Sequence, residues 1–276
     1  MKEYKKKIEF KEIQSLEYNL LKRFDEFAKE NNIMYFLSGG SCLGAVRHQD
    51  FIPWDDDIDV LVPREDYNKL IRIFRDSDKY RLYSFERNQK YGYPFAKLCD
   101  MSTRKIEFYF EPLVDYGVDI DIFPLDYWDD DIEKAKKEVV KIQRNMFWLD
   151  YSKYSSPTIK KPVKRFIQRI LITACKILGH GYFIRKITAE SMNNPNGRAY
   201  AGAKSWCVYG ERGICPAEAF SEAIEIEFEG EKFPAPIDYD TYLTCLYGDY
   251  LPEPPKEKQK THHLFNAYRI TEEDRV

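Results

Sequence analysis

The 276-residue sequence has no long apolar run, no paired-cysteine motif and no large excess of one charge. Residues 1–7 are polar and no apolar run follows, so nothing at the start reads as a signal peptide. The apolar stretch 170–175 falls far short of the roughly 20 residues that span a bilayer. The six cysteines (Cys42, Cys99, Cys175, Cys207, Cys215 and Cys245) show neither CxxC pairing nor zinc spacing. They are expected to be reduced and buried, as in a cytoplasmic protein. A net charge of −3 offers no case for nucleic acid as a partner. What is present suits an enzyme: 43% hydrophobic residues can bury the core of one large domain, or of a catalytic domain with a smaller addition. The aromatic share of 16% fits surfaces for sugars or a quaternary ammonium, and equally an aromatic core.

The chemistry concentrates between Ile33 and Val62. Asp55-Asp56-Asp57-Ile58-Asp59-Val60-Leu61-Val62 runs from an acidic cluster into an apolar strand, and the spacing predicts Asp57 and Asp59 on one strand face. Two carboxylates at 4 Å repel by about 4 kcal/mol at an effective dielectric of 20, so the pair calls for a cation or a shared proton. Mg²⁺ takes hard oxygen ligands and is typically held by one or two carboxylates plus substrate phosphates. The bland alternative is a solvated acidic loop. Upstream, Ser38-Gly39-Gly40-Ser41 breaks the apolar run 33–37 before a short helix over 42–47. Such a turn lets backbone N–H groups converge on an anion at a helix start, although an ordinary strand-to-helix connection looks the same. Downstream, Asp119 and Asp121 alternate with apolar residues in 116–124, a costly pattern unless the carboxylates are paired or metal-bound.

Three segments together closely resemble the LicD family: Gly40-Ser41-Cys42-Leu43-Gly44-Ala45-Val46-Arg47-His48, Phe51-Ile52-Pro53-Trp54-Asp55-Asp56-Asp57-Ile58-Asp59, and Ile120-Asp121-Ile122-Phe123-Pro124-Leu125-Asp126. The likeness extends through Ala96-Lys97-Leu98 and Thr103. It returns at Tyr247-Gly248-Asp249-Tyr250, Pro252, Pro254-Pro255 and His262-His263. That family comprises phosphocholine transferases acting on bacterial surface glycans, with fukutin and fukutin-related protein as eukaryotic relatives that transfer ribitol phosphate. The resemblance implies an α/β (α+β) nucleotidyltransferase-like fold, a mixed sheet flanked by helices. It further implies Asp57, Asp59 and Asp121 as ligands of Mg²⁺ (or Mn²⁺), with Asp55 at an acidic position just before the pair. Asp119 stands where the pattern has an apolar or aromatic residue, which leaves open whether Asp119 or Asp121 faces the metal.

The implied activity is transfer of phosphocholine from CDP-choline to a hydroxyl of a surface glycan or its lipid-linked precursor, as in teichoic acid or lipopolysaccharide, with release of CMP. Gly39, Gly40 and Ser41 would bind the phosphates, Arg47 and Lys97 would add charge, and His262 or His263 would contact a phosphate or act as acid or base. Asp55 or Asp121 would accept the acceptor's proton. Alternatives are transfer of ribitol or glycerol phosphate, nucleotidyl transfer proper, and a non-catalytic scaffold of the same fold.

Periodicity predicts helices over 11–30, 64–75 and 238–247, strands over 81–85, 94–100 and 105–110, and a hairpin across Glu229-Gly230-Glu231. The expected organisation is a catalytic core over 1–130, a helical, basic accessory region over 131–225, and a C-terminal part over 226–276 that completes the domain. Segment 151–187 holds nine basic residues and no acidic one, interleaved with apolar residues. A basic amphipathic helix can lie on the anionic inner face of a membrane, or its apolar stripe can pack on the domain while the lysines are solvated.

Overall fold

The computed structural model describes residues 4, 6–194, 196–261, 265–271 and 274. His262 and His263 lie outside the described residues.

Apolar residues at three- and four-residue spacing make α1 (Phe10–Glu30), which buries Leu16, Leu20, Leu21 and Phe24. It packs on the sheet at β4 (Ala96–Asp100) and β6 (Val118–Tyr127). The central sheet also contains β1 (Phe36–Leu37), β2 (Asp59–Pro63) and β3 (Tyr80–Tyr83), in the order β1-β2-β6-β4-β3. The β2–β6 pair is parallel and the β1–β2, β6–β4 and β4–β3 pairs are antiparallel. Two connecting helices, α2 (Gly39–His48) and α3 (Arg64–Ile73), leave the ends of β1 and β2. This mixed sheet flanked by helices is the nucleotidyltransferase-like α/β arrangement.

The rest of the chain closes round that unit. β5 (Thr103–Glu107) pairs with β11 (Phe265–Arg269), and the hairpin of β9 (Ala223–Phe228) and β10 (Glu231–Pro236) turns at Glu229 and Gly230. β7 (Tyr200–Gly202) extends the sheet from the end of β6 and pairs in turn with β8 (Cys215–Pro216). Helices α4 (Ile132–Lys153), α5 (Pro162–Leu178) and α6 (His180–Ser191) bury their own apolar cluster around Trp128, Ile142, Leu149 and Ile184. Asp238 caps α7 (Tyr239–Tyr247) by accepting from the Thr241 N–H at 3.0 Å. All six cysteines are free thiols, five of them buried.

Two local expectations need correction. The strand carrying the acidic pair begins at Asp59, so Asp57 precedes it in irregular backbone and the two do not share a strand face. The helix after the glycine turn begins at Gly39 rather than 42, because Gly39 takes φ +51° and turns the chain directly into the first helical turn.

Candidate active site

Three elements bring their C-terminal or N-terminal ends to one cavity of about 630 Å³: the end of β1 with the start of α2, the segment leading into β2, and the middle of β6. Asp55, Asp57, Asp59 and Asp121 all line it, together with Gly39 and Gly40. Sheet register explains the grouping, since Asp59 lies directly beside Asp121 across the parallel β2–β6 pair. The turn is fastened to the strand by two bonds. The Ser38 N–H donates to the Asp59 carbonyl at 2.9 Å, and the Asp59 N–H donates to Ser41 Oγ at 2.8 Å.

Side chains at the two glycines would press on the cavity carboxylates. A Cβ on Gly40 would stand 2.5 Å from Asp55 Oδ2, and one on Gly39 would stand 3.3 Å from Asp59 Oδ2. The Gly39 N–H donates to the Tyr242 hydroxyl at 3.0 Å, and the first intrahelical bond runs from the Cys42 N–H to Ser38 at 3.1 Å. The N–H groups of Gly40 and Ser41, in the first turn, lie at the positive end of α2.

The two acidic strand positions on β6 divide their roles. Asp119 is buried and its carboxylate accepts from Lys105 at 2.8 Å and Lys97 at 3.3 Å. Burial alone would raise Asp119, but Lys105 and Lys97 outweigh it and hold the carboxyl below its ordinary range. Asp121 accepts from Lys97 and keeps one side open to the cavity; burial raises it in spite of Lys97, with the charge of Asp119 adding to the rise. Between the two, Asp121 is therefore the one placed with Asp57 and Asp59, while Asp119 does not reach the larger cavity. Asp59 is pushed well above the ordinary carboxylate range by burial and then by the charges of Asp57, Asp121 and Asp55. Close carboxylates that resist joint ionisation are a site for positive charge. Lys97 is buried, and Asp119 and Asp121 overcome that burial to keep its ammonium protonated.

The remaining candidates separate. Asp56 turns away and accepts from Thr261 Oγ1 at 2.5 Å. Arg47 sits near the far end of α2, donating to His48 at 2.9 Å and to the Tyr250 carbonyl at 3.1 Å, and does not line the cavity. An α-helix rises about 1.5 Å per residue, which carries Arg47 away from the turn at Gly39. Arg212 lines the cavity instead.

Sequence reading missed the aromatic wall. Tyr209 and Tyr247 face each other with hydroxyls 2.6 Å apart, Tyr242 joins Ser38 Oγ at 2.9 Å, and Trp206 also lines the cavity. Of these, only Tyr247 lay in a motif. Among the described residues no three His, Cys, Asp or Glu side chains converge closely enough to form a ready metal cage. The hard oxygens of Asp57, Asp59 and Asp121 on one wall are nevertheless the donor type that suits a magnesium-like cation completed by substrate phosphates.

The chain is 28% identical over 278 residues to the lipopolysaccharide cholinephosphotransferase LicD of Haemophilus influenzae, covering 95% of this chain and 99% of that protein. A segment of 34 residues is 56% identical to the ribitol 5-phosphate transferase FKRP of Mus musculus, covering 12% of this chain and 7% of FKRP. An uncharacterized protein of Rickettsia prowazekii is 47% identical over 56 residues, 20% of this chain and 21% of that one. Residues 32–156, which hold the glycine turn and all four cavity carboxylates, match the family described as LicD/FKTN/FKRP, nucleotidyltransferase domain.

Proposed function

We propose that this protein transfers phosphocholine from CDP-choline to a hydroxyl of a surface glycan or its lipid-linked precursor, releasing CMP. The observation that carries the reading is the meeting of Asp55, Asp57, Asp59 and Asp121 with the Gly39–Gly40 turn in one cavity, in a chain similar end to end to a cholinephosphotransferase. Asp57, Asp59 and Asp121 would hold Mg²⁺, which neutralises pyrophosphate charge when bound. The N–H groups of Gly40 and Ser41 and the guanidinium of Arg212 are suited to phosphate oxygens. Asp55, whose carboxylate lies against Gly40 at the cavity wall, is positioned to take the proton of the attacking hydroxyl. A nucleotide leaving group is weakly basic, so positioning and charge neutralisation supply most of the rate.

A location follows from α5. Val163, Phe166, Ile167, Ile170 and Ile177 are exposed and share one stripe of the helix, opposite the buried Gln168, Ile172 and Cys175. The apolar stripe thus faces outward, with Lys164 and Arg169 toward its two edges and no acidic residue in 151–187. An apolar face with cationic flanks suits an anionic lipid surface. No helix among the described residues is long and apolar enough to cross a membrane, so the contact would be peripheral.

Incubation with CDP-choline, Mg²⁺ and glycan acceptor should release CMP and give a phosphocholine-bearing product. CDP-choline should raise the melting temperature in Mg²⁺ and little in EDTA, because a ligand at a hundredfold excess over Kd stabilises by about 2.7 kcal/mol. Asp57→Asn and Asp59→Asn should keep the fold and lose activity by more than about 100-fold. Equal stabilisation in Mg²⁺ and EDTA would remove the metal from the mechanism. A nucleotidylated product would show transfer of the nucleotide itself.

A further inference from the structure

A second cavity, of about 340 Å³, adjoins the first and shares Asp57, Asp121 and Trp206 with it. Its walls are largely ring faces: Tyr93, Phe95, Phe108, Tyr109, Phe110 and Trp206. Tyr93, Phe95 and Trp206 form a contiguous cluster, with centroids 5.2 Å (Tyr93–Phe95), 5.2 Å (Phe95–Trp206) and 5.8 Å (Tyr93–Trp206) apart. Among them stands Glu107, whose carboxylate accepts from the Tyr93 hydroxyl at 2.8 and 2.9 Å.

We infer that this cavity is the subsite for the quaternary ammonium head of the donor, and that it makes the enzyme selective for a cationic alcohol over a polyol. Four carboxylates line it (Asp57, Glu107, Asp119 and Asp121) against two ammoniums (Lys97 and Lys105), so acidic groups outnumber basic ones. Both lysines are paired with Asp119 and Asp121, and they also face rings of the cavity: Lys97 lies 5.3 Å from the Tyr93 centroid and 5.5 Å from Phe95, and Lys105 lies 4.4 Å from Phe265. A trimethylammonium group needs ring faces and diffuse negative charge and makes no hydrogen bonds. The hydroxyls of a polyol would instead meet ring carbons, leaving donors unpaired at a cost.

The same rings already face two cations, Lys97 within the cavity and Lys153 behind it. The Lys153 ammonium, buried and without a hydrogen bond among the described residues apart from its ion pair with Asp150 at 3.2 Å, lies 3.9 Å from the Tyr93 centroid, 4.6 Å from Phe110 and 5.9 Å from Trp206. It does not line the cavity, and Asp150 offsets its charge. The loop that carries the outer rings is held in a costly shape: Tyr109 adopts φ +70°, and its carbonyl accepts from the Ser155 N–H at 2.8 Å and Ser155 Oγ at 3.0 Å. A bulky residue keeps such a backbone only where the surroundings enforce it, and functional sites are where that occurs. The shared wall at Asp57 and Asp121 joins this pocket to the proposed phosphate site, the connection a phosphate ester of choline requires.

This inference rests on the donor reading above, and the test separates the two. CMP, CDP-choline and the neutral isostere in which 3,3-dimethylbutanol replaces choline are titrated calorimetrically into the full chain with Mg²⁺. CDP-choline should bind roughly 5- to 30-fold more tightly than the isostere, the ratio that cation–π and charge contacts of about 1–2 kcal/mol give. Glu107→Gln and the exposed Phe108→Leu should abolish most of that ratio while CMP affinity stays within about twofold; Trp206→Leu is read only if its melting temperature is retained. No CMP binding to the wild type in Mg²⁺ would overturn the donor reading and this subsite with it. CMP binding with equal affinities for CDP-choline and its isostere would overturn the subsite alone. So would variants that raise KM for the glycan acceptor and leave CDP-choline unaffected, since the aromatic cavity would then hold the acceptor sugar.

Discussion

Lys97 and Asp121 lie opposite each other across the antiparallel β4–β6 pair, and the buried ammonium of the first donates to the carboxylate of the second. The same ammonium reaches Asp119 at 3.3 Å, and Lys105 reaches Asp119 at 2.8 Å. Four charges thus form a neutral block, of which Asp121 is the member that also lines the cavity holding Asp55 and Asp59. This block lets a strand with two acidic residues run through a protein core, and it presents one carboxylate next to Asp59 at a fixed position.

Removing one cation from that block should be far more harmful than removing a pair. Lys97→Met leaves Asp121 without its partner and is expected to cost about 3–5 kcal/mol in urea unfolding, as for other broken buried ion pairs. The double variant Lys97→Met/Asp121→Asn should regain at least about 1 kcal/mol, because Asp119 keeps Lys105. Strictly additive losses would show that Lys97 and Asp121 do not interact energetically.

The two arginines near the site should behave oppositely. Arg212 lines the nucleotide-sized cavity and is exposed, so Arg212→Ala should raise the KM for CDP-choline about tenfold or more through a lost charge-assisted contact, with little change in stability. Arg47 ties α2 to the Tyr250 carbonyl, so Arg47→Ala should lower stability by about 1–2 kcal/mol and leave the KM close to wild type. Steady-state kinetics together with thermal melts distinguishes the pair. The reverse outcome would return the phosphate role to Arg47.

Elements with a long local signal were readable from sequence. The stripe of α1 set its helix to within one residue, and the Gly-Gly turn and the acidic segment after it, grouped from sequence, line one cavity. Harder to read was anything fixed by pairing at a distance. Two-residue β1 and β8 and three-residue β7 have no measurable period. The choice between Asp119 and Asp121 depended on the register of β6 with β2, which places Asp121 beside Asp59. Alternation along β6 alone put both carboxylates on one face. Tyr209, Trp206 and Arg212 come from 3₁₀ turns and short connections over 204–213, where neither helix nor strand periodicity operates. Exposure of the α5 stripe was likewise invisible, since the same amphipathic pattern serves a helix packed by either face.

That stripe makes a direct prediction about lipid. The chain should co-sediment with vesicles containing anionic lipid and less well as salt rises, with each Lys or Arg near the surface contributing about 1 kcal/mol. Reversing Lys160, Lys161, Lys164 and Arg165 to glutamate should abolish sedimentation. Phe166→Ser with Ile170→Ser should weaken it even at low salt, because both side chains are more than half exposed, at 64% and 52%. Full recovery in the supernatant with anionic vesicles at low salt would assign the outward apolar face another role.

Glu17 should make stability depend on pH in a definite direction. It lies on α1 with no exposed surface, and neither carboxyl oxygen has a hydrogen-bond partner among the described residues. Burial raises it well above its ordinary value of 4.5; Lys105 opposes the rise, and Asp57, Asp119 and Asp56 add to it. The folded state therefore keeps this proton at a pH where the unfolded chain has lost it. Stability attributable to Glu17 is complete below about pH 4.5 and declines as pH rises toward the folded-state value, by at most about 1.4 kcal/mol per pH unit. Glu17→Gln removes the titration, so its stability relative to wild type should improve steadily from pH 5 to pH 8. The absolute difference also contains the cost of a buried amide, about 1–3 kcal/mol if unpaired, which leaves the slope as the decisive quantity. Urea unfolding at four pH values measures it, and parallel curves for the two proteins would mean that Glu17 is ionised to the same degree in the folded and unfolded states.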